Sequence, residues 1–456
     1  MNLQANPLVT VYITNYNYDQ YLEQAIQSVL DQIFQDFELL IIDDGSTDNS
    51  MEIIKRFEKL QNVFVILQKN KGLTVSNNIA LKMARGKYFM RLDADDYLDP
   101  HCMEIMISKM EKQLDLALVF PDYYEVGHSG KILNHIRRHD FSKDVTLFDQ
   151  PAHGACSMIR TKTLREVGGY DESFDRQDGY DLWLKMIDGY EISNINLPLF
   201  YYRRHGDNLS ADSKELLKTR ADIKKKRIKE KKFKPISVLA VIPTRGSKMD
   251  SRSIPLRKLG GKNLIDWTID TALETRLLDN IIVTTPDKDV IDHVSTKYSD
   301  RVLTIVRPEE LARININFEL TILHALEKYE SDYSSVDAIM VLSIDYPFKA
   351  SLYLEKAIHT LQLYDVDAVR SVIVDDSNFY EHDGSGLRPH NKNKLLRLER
   401  NLLFRGAGGI QLFRYSAITG KKFPTSNVGH ITLDQKAAFE LNSEFNWVVA
   451  QSFCKD

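Results

Sequence analysis

Short apolar runs alternate with amphipathic stretches through the first half of the chain. Strand-like runs occupy 8–14, 37–42, 63–67 and 88–92, and the stretch 21–30 carries apolar residues at helical spacing. Strands that alternate with helices indicate βαβ units. We therefore predict a mainly parallel sheet whose ligand-binding loops lie at the carboxyl ends of the strands.

The second half repeats this plan. Strand-like runs occupy 237–242, 280–284, 302–306 and 338–342, with a helical stretch at 264–275 between the first two. In both halves the fourth strand runs into acidic residues. The pattern predicts an α/β protein with two tandem Rossmann-like, nucleotide-binding domains of similar architecture.

A basic segment separates the two halves. Of the 21 residues in 214–234, 11 are Lys or Arg, and few large apolar residues lie among them. The segment is typical of an exposed helix that ends before Pro235. We predict a first domain over 1–212, a basic helical linker over 213–235 and a second domain over 236–456. A solvated helix is the favoured interpretation, and contact with anionic lipid head groups is the alternative.

Composition narrows the class of protein. The 456 residues include 60 Lys+Arg and 64 Asp+Glu, a formal net charge of −4, which argues against a protein that wraps nucleic acid. No apolar run is long enough for a transmembrane helix, and residues 1–8 lack the pattern of a secretory signal. Three scattered cysteines indicate reduced thiols rather than a disulfide framework or a zinc cluster. We expect a cytoplasmic protein that binds no nucleic acid.

An acidic loop follows the fourth strand of the first half. Asp93, Asp95 and Asp96 repel one another there unless a cation joins them, and carboxylate oxygens suit Mg²⁺ or Mn²⁺. A D-x-D sequence alone is weak evidence, because most acidic loops are simply solvated. The loops after strands one and two should meet it in one crevice, where Asp44 can accept the ring N–H of a pyrimidine and Tyr16 can contact its face. The alternative for the Asp44 loop is a turn with a helix cap, and the two roles are compatible.

Two further polar positions lie later in the first half. Asp178 precedes an amphipathic helix, whose N-terminus stabilises a carboxylate as the anion, so this residue can act as a base pointing into the crevice. Taken alone, a helix N-cap is the favoured role for Asp178. His205 lies in a polar stretch and can complete a metal shell or contact phosphate, with a surface-loop histidine as the alternative.

Residues 8–210 resemble the family 2 glycosyltransferases, which have the GT-A fold. The resemblance rests on four motifs in order: Thr-Asn-Tyr-Asn at 14–17, Asp-Asp-Gly-Ser-Thr-Asp at 43–48, Asp-Ala-Asp-Asp at 93–96 and Gln-Asp-Gly-Tyr-Asp-Leu-Trp-Leu at 177–184. It implies metal-dependent, inverting transfer from a nucleotide-diphosphate sugar, of the UDP type first of all. The acceptor would be a glycan or a lipid-linked molecule in surface polysaccharide synthesis.

The resemblance also implies roles for individual residues. The residues that would hold the donor are Thr14, Tyr16, Asp44 and Asp93. Asp95 would carry Mn²⁺ or Mg²⁺ with His205 as a further ligand, and Asp178 would be the general base. Related enzymes often have an Arg-Asn pair where this chain has Ser76-Asn77-Asn78, so a cation near the diphosphate is missing or is supplied by Arg91 or Lys71.

A small cationic loop follows the first strand of the second half. Arg245, Gly246, Ser247 and Lys248 can cradle a triphosphate through backbone amides and cationic side chains, with Lys258 on the far side. The alternative is a solvated basic loop before a helix.

Residues 236–453 resemble the sugar cytidylyltransferases of the acylneuraminate type. The supporting stretches are Asn-Leu-Ile-Asp-Trp-Thr-Ile at 263–269, Arg-Pro-Glu-Glu-Leu-Ala at 307–312 and Thr-Leu-Asp at 432–434. The resemblance implies CTP as a substrate. Of the two metal-binding aspartates of that family only Asp434 is present, because Thr432 takes the other position, and Met249 to Arg252 lengthen the cationic loop.

These departures leave three alternatives open for the second domain. It is an active CTP-dependent CMP-nonulosonate synthetase, a nucleotide-binding remnant, or a non-catalytic module that presents the transferase to a partner, to a second copy in a homo-oligomer, or to a membrane surface. For the whole chain we expect a glycosyltransferase in the cytoplasm or peripheral at the inner face of the membrane.

Overall fold

The computed structural model describes residues 6–137, 154–187, 189–205, 213–246, 250, 253–313, 315–375, 377, 379–382, 384–389 and 403–454. Within these ranges the chain forms two compact units, with the boundary between Arg220 and Ala221. Each unit is built on a large sheet of its own.

The first unit alternates strands and helices in the order that the apolar runs predicted. Its strands are β1 (Val9–Asn15), β2 (Phe37–Asp43), β3 (Val63–Leu67), β4 (Tyr88–Asp93), β5 (Tyr97–Leu98), β6 (Leu116–Val126), β7 (Ile132–Ile136), β8 (Met158–Arg160) and β9 (Glu191–Arg203). Its helices are α1 (Asp19–Leu30), α2 (Ser50–Phe57), α3 (Leu73–Met83), α4 (Cys102–Lys112), α5 (Thr161–Glu166) and α6 (Asp178–Met186).

The sheet of the first unit is mixed. Its strand order is β3-β2-β1-β4-β8-β6-β9-β5, with β7 paired to β6. Strands β1 to β4 are parallel, as predicted. Beyond β4 the long strands β6 and β9 pair in parallel, as predicted, but β8 runs antiparallel to β4 and β6, and β5 runs antiparallel to β9, which was not predicted. Strands β5 and β8 lie outside the βαβ units, so no crossover helix imposes a parallel direction on them.

Burial on both faces explains why the parallel strands read as apolar runs. Val11 and Ile13 of β1 are fully buried in one cluster with Leu22 and Ile26 of α1. Tyr12, the residue between Val11 and Ile13, is also fully buried. A strand covered on both faces carries polar side chains mainly where it ends. The carboxyl edge of the sheet is therefore where polar chemistry gathers.

Helix α7 (Ser213–Glu230) occupies the basic segment. Ile223, Lys224 and Arg227 in its middle are buried, and Lys224 donates through Nζ to the Thr360 hydroxyl at 2.7 Å. The expectation of a solvated linker helix is wrong at these positions, because Ile223 and the aliphatic stems of the cations cover protein surface. No helix in the described ranges combines the length and apolarity needed to cross a bilayer.

The second unit continues the alternation. Its strands are β10 (Val238–Pro243), β11 (Lys258–Leu259), β12 (Lys262–Asn263), β13 (Asn280–Thr285), β14 (Leu303–Val306), β15 (Ala338–Leu342), β16 (Ala368–Asp375), β17 (Tyr380–His382), β18 (Leu387–Pro389), β19 (Leu403–Arg414) and β20 (Val428–Thr432). Its helices are α8 (Leu264–Glu274), α9 (Lys288–Tyr298), α10 (Phe318–Glu330), α11 (Ser351–Leu363) and α12 (Glu444–Ser452).

The main sheet of the second unit is also mixed. Its order is β14-β13-β10-β15-β19-β16-β20. The four strands from β14 to β15 are parallel, and β19 runs antiparallel to β15 and β16. The carboxyl ends of β10 and β15 consequently lie side by side at one edge.

Candidate active site

The carboxyl ends of β1, β2 and β4 meet at one edge of the first sheet. Asn15 of β1 lies opposite Asp43 of β2, and Thr14 lies opposite Asp93 of β4. Asn15 Nδ2 donates to Asp43 Oδ1 at 2.8 Å, and the Ser46 hydroxyl donates to the same oxygen at 2.6 Å. These bonds join the loops after β1 and β2 beside the acidic loop that follows β4.

The acidic loop brings three carboxylates together. One oxygen from each of Asp93, Asp95 and Asp96 lies within 4.8 Å of the others. Burial, with the charges of Asp95 and Asp178, raises the pKa of Asp93 to about 6 although Arg91 opposes the rise. Burial and the neighbouring carboxylates also raise the pKa of Asp96. Asp96 Oδ2 is buried and accepts no hydrogen bond from the described residues, so the cluster offers both negative charge and an unfilled acceptor.

His205 joins this cluster just after the end of β9. Its Nε2 lies 2.9 Å from Asp95 Oδ2. The ring of Tyr21 stacks on the imidazole with 5.6 Å between centroids, and Tyr18 meets it edge-on at 5.7 Å. Arg203, the last residue of β9, donates from Nε to the Asp95 carbonyl at 2.9 Å. The two predicted metal ligands are therefore neighbours, although 110 positions separate them in the chain.

Arg91 of β4 lies between the acidic loop and Asp178. Its buried guanidinium pairs with Asp93 Oδ1 at 2.9 Å and with Asp178 Oδ2. Asn77 Nδ2 donates to the same Asp178 oxygen at 3.0 Å, while Asp178 Oδ1 has no hydrogen-bond partner among the described residues. A Cβ at Gly154 would clash with Arg91 Nη2, so glycine leaves the space that the guanidinium occupies.

Asp178 is not the cap of helix α6. It is the first helical residue, after Gln177 in the left-handed conformation with φ 60°. Its carboxylate turns to Arg91 and Asn77. The N-cap alternative is therefore wrong, and the side chain lies in the polar interior behind the acidic loop.

Asp44 is buried in the loop after β2. Its Oδ1 accepts hydrogen bonds from Gln68 Nε2 at 2.7 Å and from the Lys71 amide at 2.8 Å, and its Oδ2 accepts one from the Gly72 amide at 2.8 Å. The carboxylate thus fixes the loop before α3. Oδ2 keeps a lone pair for a further donor.

The other two predicted donor contacts border the same edge. Thr14 is half-buried, and Tyr16 is 45% exposed. Of the two cations considered in place of the missing arginine, Arg91 is held between two carboxylates, and Lys71 is exposed.

Comparison with known proteins identifies the first unit. Residues 10–168 match the sequence family Glycosyl transferase family 2. A protein of Methanocaldococcus jannaschii named as an uncharacterized glycosyltransferase is 31% identical over 206 residues, which are 43% of this chain and 71% of that protein. The chain belongs to glycosyltransferase family 2. The family match lies within the first unit.

Two further relatives of this chain are polysaccharide synthases by name. The chondroitin synthase of Escherichia coli is 29% identical over 245 residues, 52% of this chain and 36% of that protein. The hyaluronan synthase of Pasteurella multocida is 31% identical over 206 residues, 45% of this chain and 21% of that protein. The chain thus spans only a minor part of the length of these two relatives.

The second unit has a cavity of about 690 Å³ at the carboxyl ends of β10 and β15. Arg245, a predicted nucleotide contact, and Asp345 line it. Gly246 follows Arg245 with φ 79°, and its amide donates to the Ser253 hydroxyl at 3.1 Å, so this amide is engaged within the loop. The predicted Ser247 and Lys248 lie outside the described residues.

Two other predicted nucleotide contacts do not line this cavity. Lys258 is exposed in the short strand β11, and Asp434 follows β20. Asp434 accepts hydrogen bonds from the Tyr353 hydroxyl at 2.5 Å and from the Ala437 amide at 2.9 Å, which is the pattern of a turn-forming aspartate.

Sequence reasoning missed several residues at both edges. In the first unit it gave no role to Asn77 and Gly154, and it considered Arg91 only as a cation for the diphosphate. A charged residue inside the apolar run of β4 is a signal that could have marked Arg91, because a buried arginine needs a carboxylate partner. In the second unit it missed Arg257 and Arg307, which line the cavity.

Proposed function

We propose that this enzyme moves a sugar from a nucleotide-diphosphate donor, of the UDP type first of all, to an acceptor hydroxyl, with inversion at the anomeric carbon and with Mn²⁺ or Mg²⁺ as cofactor. The observation that carries the proposal is the position of Asp178 behind the cluster of Asp93, Asp95 and Asp96, joined to it through Arg91. A single displacement needs one group that stabilises the leaving group and another that removes the proton of the nucleophile.

The acidic cluster fits a divalent metal ion. Carboxylate oxygens are the ligands that Mg²⁺ and Mn²⁺ prefer, and Asp96 Oδ2 is an unfilled acceptor at the site. Asp95 and the adjoining His205 would hold the ion, with Asp93 beside them. When bound, the ion supplies positive charge for the leaving diphosphate.

The loops after β1 and β2 would hold the donor. The exposed ring of Tyr16 can stack on the base, and the remaining lone pair of Asp44 Oδ2 can accept the ring N–H of a pyrimidine. Thr14 lies opposite Asp93 in the sheet, so these two side chains would meet the ribose or the donor sugar between the base and the acidic cluster.

Asp178 is proposed as the general base. Arg91 and Asn77 hold Oδ2 and so orient the carboxylate, which leaves Oδ1 to take the proton of the acceptor hydroxyl. As the proton moves to Oδ1, the acceptor oxygen forms its bond to the anomeric carbon, and the bond from that carbon to the diphosphate oxygen breaks. Attack from the opposite face inverts the anomeric centre, and the proton then leaves to water.

A glycan or lipid-linked acceptor in surface polysaccharide synthesis completes the proposal. The names of two relatives, chondroitin synthase and hyaluronan synthase, support a polysaccharide product. Exposed cations of the basic segment, at Lys225, Lys229, Lys232 and Lys234, would attract an anionic membrane surface where a lipid-linked acceptor resides.

Two substitutions test the division of roles. Asp95→Asn should weaken the binding of Mn²⁺ and donor, whereas Asp178→Asn should leave donor binding unchanged and lower kcat by about 10²–10⁴-fold. Asp175→Asn is the matched control, because Asp175 is exposed and lies in the loop just before Asp178. Calorimetry measures binding, and release of UDP from a panel of UDP-sugars measures transfer. Wild-type transfer by both variants would show that these roles are wrong.

For the second unit we infer a nucleotide site of the cytidylyltransferase type. The cavity at the sheet edge supports this inference, because Arg245 lies in its wall. Lys258 and Asp434 do not line the cavity and would contact the nucleotide from beside it. The test adds CTP, Mg²⁺ and a nonulosonic acid to the full chain. Release of pyrophosphate would indicate an active synthetase, and a CTP-dependent thermal shift without release would indicate a nucleotide-binding remnant. Absence of both would favour a module for a partner, a second copy or a membrane.

A further inference from the structure

A buried hydroxyl lies in the middle of the apolar strand β1. Tyr12 is fully buried, and its ring stacks on Phe89 of β4 with 4.5 Å between centroids. A buried tyrosine hydroxyl needs a hydrogen-bond partner. The hydroxyl oxygen of Tyr12 lies 3.1 Å from Asn77 Oδ1 and 3.3 Å from the hydroxyl oxygen of Tyr170, which is also buried. Polar side chains from β1, α3 and the segment before α6 therefore meet inside the first unit.

Asn77 fixes the direction of these hydrogen bonds. Its Nδ2 donates to Asp178 Oδ2 at 3.0 Å, because the reverse orientation of the amide would place Oδ1 against a carboxylate oxygen. Oδ1 of Asn77 therefore faces Tyr12 and can only accept a hydrogen bond. The single hydrogen of the Tyr12 hydroxyl goes to Asn77, and the Tyr170 hydroxyl donates to the oxygen of Tyr12.

Both hydroxyls keep their hydrogens at neutral pH. Burial, with the neighbouring Tyr170, raises the pKa of Tyr12, and burial raises the pKa of Tyr170 to about 12. Donors that all point towards one end of a series stabilise negative charge at that end, and each hydrogen bond polarises the next. The series runs from Tyr170 through Tyr12 and Asn77 and ends on the carboxylate of Asp178.

We propose that Tyr12 is a positioning residue for Asp178. Its hydroxyl holds the amide of Asn77, and this amide holds Oδ2 of the carboxylate so that Oδ1 faces the acceptor hydroxyl. Arg91 pairs with the same oxygen but is shared with Asp93, so the amide is a second restraint on the rotation of the carboxylate. The inference rests on the proposed role of Asp178 as general base, and it adds a residue too deeply buried to contact substrate.

Steady-state kinetics on the full chain test the inference. Release of UDP is measured in Mn²⁺ from UDP-glucose, UDP-galactose and the two UDP-N-acetylhexosamines, with water or free hexoses as acceptors. Tyr12→Phe should lower kcat by about three- to tenfold and leave the KM for the donor unchanged, because the base is misaligned while the donor loops stay intact. Asn77→Ala should lower kcat more than Tyr12→Phe does, and Tyr170→Phe should lower it less.

Tyr88→Phe is the matched control. Tyr88 is likewise a fully buried tyrosine of the same sheet, but its hydroxyl donates to Glu111 at 2.7 Å and is not part of the series. The substitution should lower the melting temperature without changing kcat. An equal loss of kcat in Tyr88→Phe and Tyr12→Phe would show a general effect of removing a buried hydroxyl and would overturn the inference.

A double-substitution cycle shows whether Tyr12 acts through Asn77. In a chain that already carries Asn77→Ala, the further change Tyr12→Phe should not lower kcat again, because the amide that transmits its effect is absent. Losses of kcat that add up instead would contradict the proposed series.

Melting temperatures supply a second cycle that needs no turnover. Tyr12→Phe should lower the melting temperature more in the wild type than in Asp178→Asn, because a series of donors that ends on an ion is stronger than one that ends on a neutral amide. Equal falls in both backgrounds would overturn the inference. If Tyr12→Phe does not fold, Tyr170→Phe takes its place in both cycles.

Asp178→Asn separates failure of the inference from failure of the proposed function. Wild-type kcat in Asp178→Asn would show that Asp178 is not the base, and the role of Tyr12 would fall with it. Loss of kcat in Asp178→Asn together with wild-type kcat in Tyr12→Phe would show that only the positioning role of Tyr12 is wrong.

Discussion

The two sheet edges of this protein carry opposite unbalanced charges. At the first edge the acidic cluster and Asp178 share one buried cation, Arg91, and burial with mutual repulsion raises the pKa of Asp93. At the second edge two arginines have carboxylate partners, whereas Arg307 has none among the residues that the structure describes, and burial lowers its pKa. The first edge would gain stability from a cation, and the second from an anion.

The difference teaches that architecture locates a site without choosing its ligand. Both edges are formed by the carboxyl ends of neighbouring parallel strands, β1 with β2 and β4 in one unit and β10 with β15 in the other. The side chains that follow those strands decide the sign of the charge. A shared plan therefore predicts where ligands bind, and the loop residues predict which ligands they are.

Removal of Arg91 should have the largest effect on the first edge. Arg91→Met leaves Asp93 and Asp178 buried without their cation, so we expect a loss of about 3–5 kcal/mol in the free energy of unfolding. Arg56→Met is the control, because its ion pair with Glu23 is exposed and should contribute about 0–1 kcal/mol. Urea denaturation measures the loss in the free energy of unfolding for both variants. Equal losses would show that the buried ion pairs of Arg91 stabilise the protein no more than the exposed pair of Arg56 does.

A buried lysine with full hydrogen-bond partners sharpens the contrast at the second edge. Lys349 Nζ donates to the Thr268 hydroxyl and to the carbonyls of Ser343 and Tyr346, at 2.8, 2.8 and 2.6 Å. Lys349→Met leaves these acceptors unpaired and should cost about 2–3 kcal/mol in urea denaturation.

Two variants serve as references for Lys349→Met. Lys288→Met, at an exposed site, should be nearly neutral. Arg307→Met should be no less stable than the wild type without ligand, since among the described residues the Nε of Arg307 has no hydrogen-bond partner and its Nη2 donates to a single carbonyl. If Arg307→Met were as destabilised as Lys349→Met, the two buried side chains would not differ as proposed.

Acid should destabilise the second unit through His359. Burial, with Lys224 and Lys225, lowers the pKa of this imidazole to about 4. The unfolded chain then binds more protons between pH 6.5 and 4, so stability falls as the pH drops through that range. Between pH 7 and 5 the wild type should lose about 1–2 kcal/mol relative to His359→Gln. Denaturation of both proteins at the two pH values measures this, and parallel curves would contradict it.

Acid should have the opposite and smaller effect through Asp93. Its folded pKa of about 6 lies above the ordinary value of 3.8, so the folded state binds the extra proton and stability rises as the pH falls from 7 towards 5. In EDTA the wild type should gain about 1 kcal/mol relative to Asp93→Asn over this range. A wild type that instead loses stability relative to the variant would show that the acidic cluster does not repel as described.

Much of the fold followed from local pattern. All four strands predicted in each half are present. They could be predicted because a strand buried on both faces must be apolar along its length, which makes it visible as an apolar run. The antiparallel strands β8 and β19 were not predicted, since their pairing depends on segments far apart in the chain. The burial of Lys224 was also unforeseen, because local charge density does not reveal what covers a helix.

The sequence alone determined the order of strands and helices, the clustering of acids after β4, and the family through its spaced motifs. Tertiary structure alone decided which charges are compensated. Arg91 meets Asp178 across 87 positions, Arg257 meets Glu444 across 187, and Arg307 meets no carboxylate among the described residues. Partners for a buried charge are set by distance in space, and the distance between such residues is fixed only when the chain has folded.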